Sequence, residues 1–432
     1  MPIPATSNPG WPTVVIVGGG FGGLSAAQTL ADKPVNVTLL DRTNHHLFQP
    51  LLYQVATAGL NPADIAQPIR HILRDAGNIT VVLAEIGSID PASKRLLTAQ
   101  GRSFTYDYLI VAAGARHSYF GHEAWEGYAP GLKTLEDALE LRRRILSAFE
   151  TAEIAETDEM RRSAQTFVVV GAGPTGVEMA GAITELAHHA LAADFRKIDP
   201  RKTQVILLDA APRILPAFAE DLSASALKQL RHMGVDVRTS KTVKELNAEG
   251  VTIDGEFIPS RTVVWAAGNA ASPLARELGA ETDRAGRVLV NPDLSVPNHP
   301  EIYAIGDMAC FTHQTGTALP GVSPVAIQMG HCAAKNILAQ IDRRSTSPFK
   351  YFDKGSMATI GRNRGVVDLK FARFGGFLAW LSWLFVHLIF LIGLRNKALV
   401  FLQWVWAYFT YSHGARLIYG AFRPKVPPTG SA

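Results

Sequence analysis

Glycines at positions 18, 20 and 23 close the apolar run Val14 to Val17 and open a helical pattern, in the order strand, turn, helix. Each glycine of that GxGxxG spacing has its own task when a dinucleotide binds. Gly18 allows the tight turn, Gly20 lets a pyrophosphate approach the backbone, and Gly23 packs helix on strand. The helix N-terminus then faces the phosphates with unpaired N–H groups and its positive dipole end. The next strand, VNVTLLD, ends in Asp41, 18 residues after Gly23, where an acid can accept hydrogen bonds from a ribose. The pattern returns in TFVVVGAGPTGVEMAGAITEL, with Gly171, Gly173 and Gly176, and its following strand ends in Asp209. The gap from Gly176 is 33 residues here, filled by LAHHALAADFRKIDPRK, which reads as an extended helix and loop.

Two such turns imply two dinucleotides, and the usual pairing is a flavin with a nicotinamide. A carboxylate at Asp209 accepts from a ribose 2′-OH and repels a 2′-phosphate. Ala210 and Ala211 follow it with no adjacent base, so NADH is expected over NADPH, with Arg213 keeping the second open. YDYLIVAAGA (106–115) and TVVWAAGNA (262–270) are strands ending in small residues, where a chain can cross between domains against a cofactor. EIYAIGDMA (301–309) ends in Gly306-Asp307. A carboxylate there can hydrogen-bond a flavin's ribityl hydroxyls, although an isolated Gly-Asp pair is more often an ordinary strand-end turn.

The elements that must position these groups fit a chain of 432 residues, long enough for two or three domains. The opening MPIPATSNPGWPT lacks a basic start and an apolar run, and is expected to be a loose arm, not a secretion signal. Cys310 and Cys332 are the only cysteines, which suits a reduced compartment and supplies no disulfide framework. The adjacent pairs His45-His46 and His188-His189 point apart on any regular element, so packing or solvated roles are expected and no metal site. Lys354 is read as a surface lysine.

Charge is placed unevenly. Of 42 basic residues against 38 acidic, seven (Lys370, Arg373, Arg395, Lys397, Arg416, Arg423, Lys425) lie beyond residue 369, where no acid occurs. That basic tail contains FLAWLSWLFVHLIFLIGL (377–394) and ALVFLQWVWAYFTY (398–411), with RNK between them. Flanked by cations, these apolar runs suit an anionic lipid surface over residues 370–423 better than nucleic acid. A transmembrane hairpin is disfavoured, because the second run is short for a ~30 Å hydrocarbon core and the cations would fall on both sides. Helices lying in the interface are expected, with Trp380, Trp383, Trp404, Trp406, Tyr408 and Tyr411 at the headgroup boundary. A buried core or dimer helix is the remaining reading.

With these features in order, the chain resembles the two-dinucleotide-binding flavoproteins, and more narrowly the type II NADH dehydrogenases, which are non-pumping NADH:quinone oxidoreductases. HHLFQPLLYQVATAGL (45–60) carries most of the resemblance, supported by VEMAGAITEL, DAAPRILP, MATIGR and the aromatic tail. The resemblance implies an α/β fold with two Rossmann-like dinucleotide-binding domains, the second inserted in the first, and a C-terminal membrane-associated helical segment. The expected division is 12–125 with 285–340 for FAD, 126–284 for NADH, and 341–432 for the membrane-anchoring region. FAD would be held by Gly18, Gly20, Gly23, Asp41 and Asp307, with Ile86, Ala113 and Gly114 lining it. NADH would occupy Gly171, Gly173, Gly176, Asp209 and the Gly268 turn. Glu178 falls where the family places a carboxylate near nicotinamide and flavin. LPGVSPVAIQMG (319–330) matches a segment that often reads A-Q-x-A-x-Q beside the quinone; here Pro324 replaces the first Gln and Gln328 is kept.

The activity so implied is hydride transfer from NADH to FAD and two-electron delivery to a membrane quinone, by a homodimer peripheral to the cytoplasmic face of a bacterial inner membrane. A sulfide:quinone oxidoreductase would need sulfur-relaying cysteines at the flavin, and Cys310 and Cys332 read as packing residues. A disulfide reductase would need a CxxC, which is missing. A soluble ferredoxin reductase would not need the tail. A non-catalytic membrane flavoprotein that senses NADH is separated from the enzyme only by turnover.

Overall fold

Apolar runs bounded by glycine turns become parallel strands buried on both faces, as a sheet covered by helices requires. A computed structural model of the chain describes residues 8–411 and 413–419. The start of the expected N-terminal arm, and Arg423 and Lys425 of the tail, lie outside the described residues. Two units divide the chain.

The first unit contains the chain up to Leu47, Ala66–Arg116 and Asn269–Lys354. Its six-stranded sheet has the order Ser295–Val296, His299–Ala304, Tyr108–Val111, Thr13–Val17, Asn36–Asp41, Ile79–Leu83. All neighbours are parallel except the outermost pair, Ser295–Val296 with His299–Ala304. Register brings Val17 level with Leu40 on one side and Val111 on the other, so the Gly18 turn, Asp41 and Ala112 share one sheet edge. Helix Phe21–Leu30 lies against helix Ser323–Ile341. Their backbones approach closely at Gly330, where a Cβ would stand 2.2 Å from the Gly22 carbonyl oxygen.

The second unit contains Phe48–Ile65, His117–Gly268 and the chain from Gly355. Its parallel sheet runs Asp236–Arg238, Gln204–Leu208, Thr166–Val170, Thr262–Trp265. A three-stranded antiparallel sheet, Ser356–Gly361, Arg364–Asp368 and Arg373–Gly375, leads into helices Phe377–Phe390 and Leu394–Thr410.

This division differs from the sequence expectation in three places. The crossings fall at 116/117 and 268/269, nearer the small-residue strand ends than 125 and 285. Phe48–Ile65, expected with the flavin domain, belongs to the second unit. Arg142, fully buried in helix Leu135–Glu153, donates to the Val55 carbonyl at 2.7 Å and the Leu60 carbonyl at 2.6 Å, pinning that segment. The C-terminal region from Gly355 is likewise built onto the second unit. Helix Pro174–Glu185 presses against strand Ser356–Gly361 at Gly181, where a Cβ would sit 1.7 Å from the Ile360 carbonyl oxygen.

Candidate active site

In the first unit, the glycine turn is shaped by close approaches. A Cβ on Gly18, whose φ is +100°, would meet the Ala112 carbonyl oxygen at 2.4 Å, and one on Gly23 would meet the Gly18 oxygen at 1.8 Å. A Cβ on Gly20 would meet nothing within 4 Å, so this is the open side of the turn, at the N-cap of helix Phe21–Leu30. Asp41 braces the turn, accepting from Gly19 N at 2.6 Å and from Thr43 N at 2.6 Å. A carboxylate has about four acceptor sites, and with Thr43 Oγ1 also donating at 2.8 Å, capacity for one ribose hydroxyl is left.

Asp307 is half-buried and, among the described residues, forms no hydrogen bond or ion pair within ordinary distance. It lines a cavity of about 290 Å³ with Ala115, Ala271, Arg287, Gly306 and Met329. A half-buried carboxylate without a partner offers its acceptor sites to a ligand, and a flavin's ribityl hydroxyls are donors. An open glycine turn at a helix N-terminus, a ribose acid and this acceptor fit FAD. Ala113 and Gly114 follow strand Tyr108–Val111, and Ile86 begins the small antiparallel sheet after strand Ile79–Leu83.

The second unit repeats the arrangement. A Cβ on Gly176 would stand 1.7 Å from the Gly171 oxygen, and one on Gly173 would meet nothing. Asp209 accepts from Ala172 N and, at 2.7 Å, from Ala211 N. Arg213 spends its guanidinium on the Phe218 and Pro216 carbonyls, both at 2.8 Å, and so is committed to its own loop. Gly268, φ +73°, follows strand Thr262–Trp265.

Glu178, one turn into helix Pro174–Glu185, places its carboxyl near the Thr359 backbone and Trp383 of the same unit. Burial pushes its carboxyl up to about 8, opposed by donors at the Thr359 backbone and the Trp383 indole. The indole N–H lies near enough to favour the charged carboxylate but closes no ordinary hydrogen bond. Tyr53 is also beside it; burial raises the phenol well above its usual range, and the Glu178 charge raises it further. The Tyr53 hydroxyl accepts from Gln54 Nε2 at 2.9 Å, and Trp404 Nε1 donates to Gln54 Oε1 at 2.8 Å. Seven residues on, Glu185 is also pushed up by burial and accepts from Arg362 N at 2.5 Å.

Comparison with known proteins matches these features. A family model described as pyridine nucleotide-disulphide oxidoreductase covers residues 12–330, and one described as NDH2 C-terminal domain covers 354–411. A type II NADH:quinone oxidoreductase of Mycobacterium tuberculosis, Ndh, is 45% identical over 95% of this chain and 91% of its own. The chain belongs to the type II NADH:quinone oxidoreductases. A type II enzyme of Plasmodium falciparum, solved with NADH, shares the fold with a TM-score of 0.85 at 19% identity, covering 95% of this chain and all of that one. A sulfide:quinone oxidoreductase of Aquifex aeolicus also shares it, with a TM-score of 0.70 at 20% identity over 92% of this chain and 95% of that one. Fold alone therefore does not separate a type II enzyme from the sulfide enzymes. The thiols do bear on that choice: burial raises Cys310 and pushes Cys332 up to about 11, which disfavours a reactive thiolate at either.

The predicted site residues of this type II oxidoreductase divide between the units. The first holds Gly18, Gly20, Gly23, Asp41, Ile86, Ala113, Gly114, Asp307, Pro324 and Gln328; the second holds Gly171, Gly173, Gly176, Glu178, Asp209 and Gly268. Pro324 is in the first turn of helix Ser323–Ile341, where its missing N–H costs nothing. Gln328 spends both ends of its amide on the Phe352 backbone, donating to its carbonyl at 3.0 Å and accepting from its N–H at 2.9 Å.

Two of the aromatics expected at a headgroup boundary turn inward. Trp383 is 1% exposed, against Tyr53 and stacked on His387 at 4.0 Å, and Trp404 faces Gln54. Sequence reasoning missed Tyr53 and Trp383 as neighbours of Glu178, since an apolar run does not show which side of a helix meets the protein. Their signal was spacing: Ala379, Trp383 and His387 recur every fourth residue and line one face.

Proposed function

We propose that the protein oxidises NADH and reduces a membrane quinone without pumping protons, while resting on the lipid surface. FAD, when bound, supplies the chemistry of accepting a hydride and passing on its two electrons. The repeated glycine turns, each with its own ribose acid, carry this reading: one chain holds two dinucleotides, and Gly18–Gly23 with Asp41 and Asp307 suits the flavin. Gly171–Gly176 with Asp209 anchors the adenosine half of NADH, with Arg213 occupied elsewhere.

Quinone reduction consumes protons. Glu178, kept neutral by burial up to about pH 8, is a group of the second unit suited to holding one. Tyr53 and Trp383 lie beside that carboxyl and shield it from water. Gln328 acts through Phe352, which it positions, and Pro324 narrows the amide set offered to the quinone. The family resemblance supports a homodimer on the cytoplasmic face of a bacterial inner membrane.

Helix Phe377–Phe390 shows Phe377, Leu378, Leu381, Phe385 and Ile389 to solvent; helix Leu394–Thr410 shows Phe401, Leu402, Val405, Trp406 and Phe409. Their inner faces carry Ala379, Trp383, Asn396 and Val400. No helix among the described residues is long and apolar enough to cross a membrane. A helix of 14 residues reaches ~21 Å against a ~30 Å core. Apolar stripes of this size need a covering, and lipid with Lys370, Arg395 and Lys397 at its phosphates provides one.

The test is the visible spectrum of the detergent-purified protein, recorded anaerobically during addition of NADH and then a short-chain ubiquinone. Bleaching by NADH with recovery on quinone is expected. Bleaching without recovery would remove the quinone assignment, and no bleaching would remove the NADH assignment.

A further inference from the structure

Resting on the NADH reading, we infer that the Phe120 side chain contacts the nicotinamide–ribose half of bound NADH. In the second unit's sheet, strand Thr166–Val170 has Gln204–Leu208 on one side and Thr262–Trp265 on the other. Strand order reverses between Thr166–Val170 and Thr262–Trp265, and an open parallel sheet binds its ligand in the crevice at the carboxyl ends of such a pair. The register puts Leu208, Val170 and Trp265 level, so Asp209, Gly171 and Ala266 stand side by side on that edge. An adenosine ribose at Asp209 and a pyrophosphate over Gly171–Gly173 leave one direction for the rest of the dinucleotide. It runs past Ala266 towards Gly268.

Phe120 lies there. A Cβ on Gly268 would stand 2.6 Å from Phe120 Cζ, so the ring rests on the backbone that the second nucleoside must pass. The loop is tied to the strand end, with Ser118 N donating to the Gly268 carbonyl at 3.3 Å and Trp265 Nε1 to the Ser118 carbonyl at 2.9 Å. The ring is nevertheless 67% exposed, on a residue whose φ is +54°. Side chains with a Cβ rarely adopt that conformation, and a phenylalanine left open to solvent recovers little of its cost by burial. A flat heteroaromatic ring or a ribose face against it would supply the missing contact.

The test uses the full-length FAD-loaded protein with Phe120→Ala and Phe120→Leu, the second keeping apolar packing if the first does not fold. KM for NADH and inhibition constants for NAD and ADP are measured, together with binding of NAD followed by protein fluorescence. ADP carries the adenosine half and pyrophosphate but lacks the nicotinamide–ribose half. Loss of one aromatic contact predicts about a tenfold rise for NADH and NAD, no change for ADP, and recovery in Phe120→Tyr. An unchanged NAD constant would overturn the inference, and so would an equal rise for ADP, which would make Phe120 a support of the loop. Wild-type protein that bound neither NAD nor ADP would instead remove the NADH reading itself.

Discussion

Glu178→Gln isolates the energetic cost of a buried carboxyl. The folded protein keeps Glu178 protonated up to about pH 8, whereas its ordinary value is 4.5. Between those values the folded state holds a proton that the unfolded chain has lost, so stability falls as pH rises through that window. At ~1.36 kcal/mol per pH unit, the span corresponds to about 5 kcal/mol as a ceiling, reached above pH 8. Glutamine has nearly the same shape and no charge to bury. The variant should therefore match wild type near pH 4.5 and exceed it increasingly up to pH 8, by roughly 5 °C or more in thermal midpoint. Thermal unfolding of the FAD-loaded proteins across this range reads it directly. Quinone reduction supplies a second readout: wild-type kcat should decline above about pH 8 as the carboxyl ionises, and the variant's lower rate should be flat there. A midpoint difference that does not change with pH would refute the reasoning, because the carboxyl would then be no more buried folded than unfolded.

The first glycine turn separates folding from flavin binding. Gly23→Ala forces a Cβ to 1.8 Å from the Gly18 oxygen and should abolish folding, whereas Gly20→Ala meets no protein atom and should give folded protein without flavin absorbance. Circular dichroism and the visible spectrum distinguish the two. Gly181→Ala, with its Cβ 1.7 Å from the Ile360 oxygen, should cost about 3 kcal/mol by prising the hairpin off the Glu178 helix, seen as a lower urea midpoint. Arg362 lies over Tyr411 at 3.7 Å and Tyr408 at 4.5 Å, and donates to the Ala407 carbonyl at 2.8 Å. Arg362→Gln should loosen the end of helix Leu394–Thr410 by about 2 kcal/mol, measured as faster amide exchange confined to that turn.

The two dinucleotide turns were legible because their chemistry is local. Strand, glycines, helix and acid lie within a few dozen residues, and the first and third glycines of each turn are dictated by an atom of that turn or of the adjoining strand end, while the second is left open. Asp307 and the Gly268 turn were legible for the same reason, as ends of apolar strands. The division of the chain was less so. Phe48–Ile65 carries no mark showing which sheet it accompanies; that depends on Arg142, 82 residues beyond Leu60, reaching back to its carbonyls.

The tail shows the same limit. An apolar run between cations already implied a lipid surface, and its brevity already argued against a span. Which aromatics face outward was undetermined, because both sides of an apolar helix read alike. Packing decided it, turning Trp383 onto Tyr53 and leaving Trp406 65% exposed. The protonation of Glu178 was likewise beyond the sequence. Its pKa depends on how much water is excluded by Tyr53, Trp383 and strand Ser356–Gly361, which come from three distant segments. Spacing along the chain specifies chemistry that one turn can complete; burial, and the proton affinity that follows from it, exist only once separate segments have closed around the group.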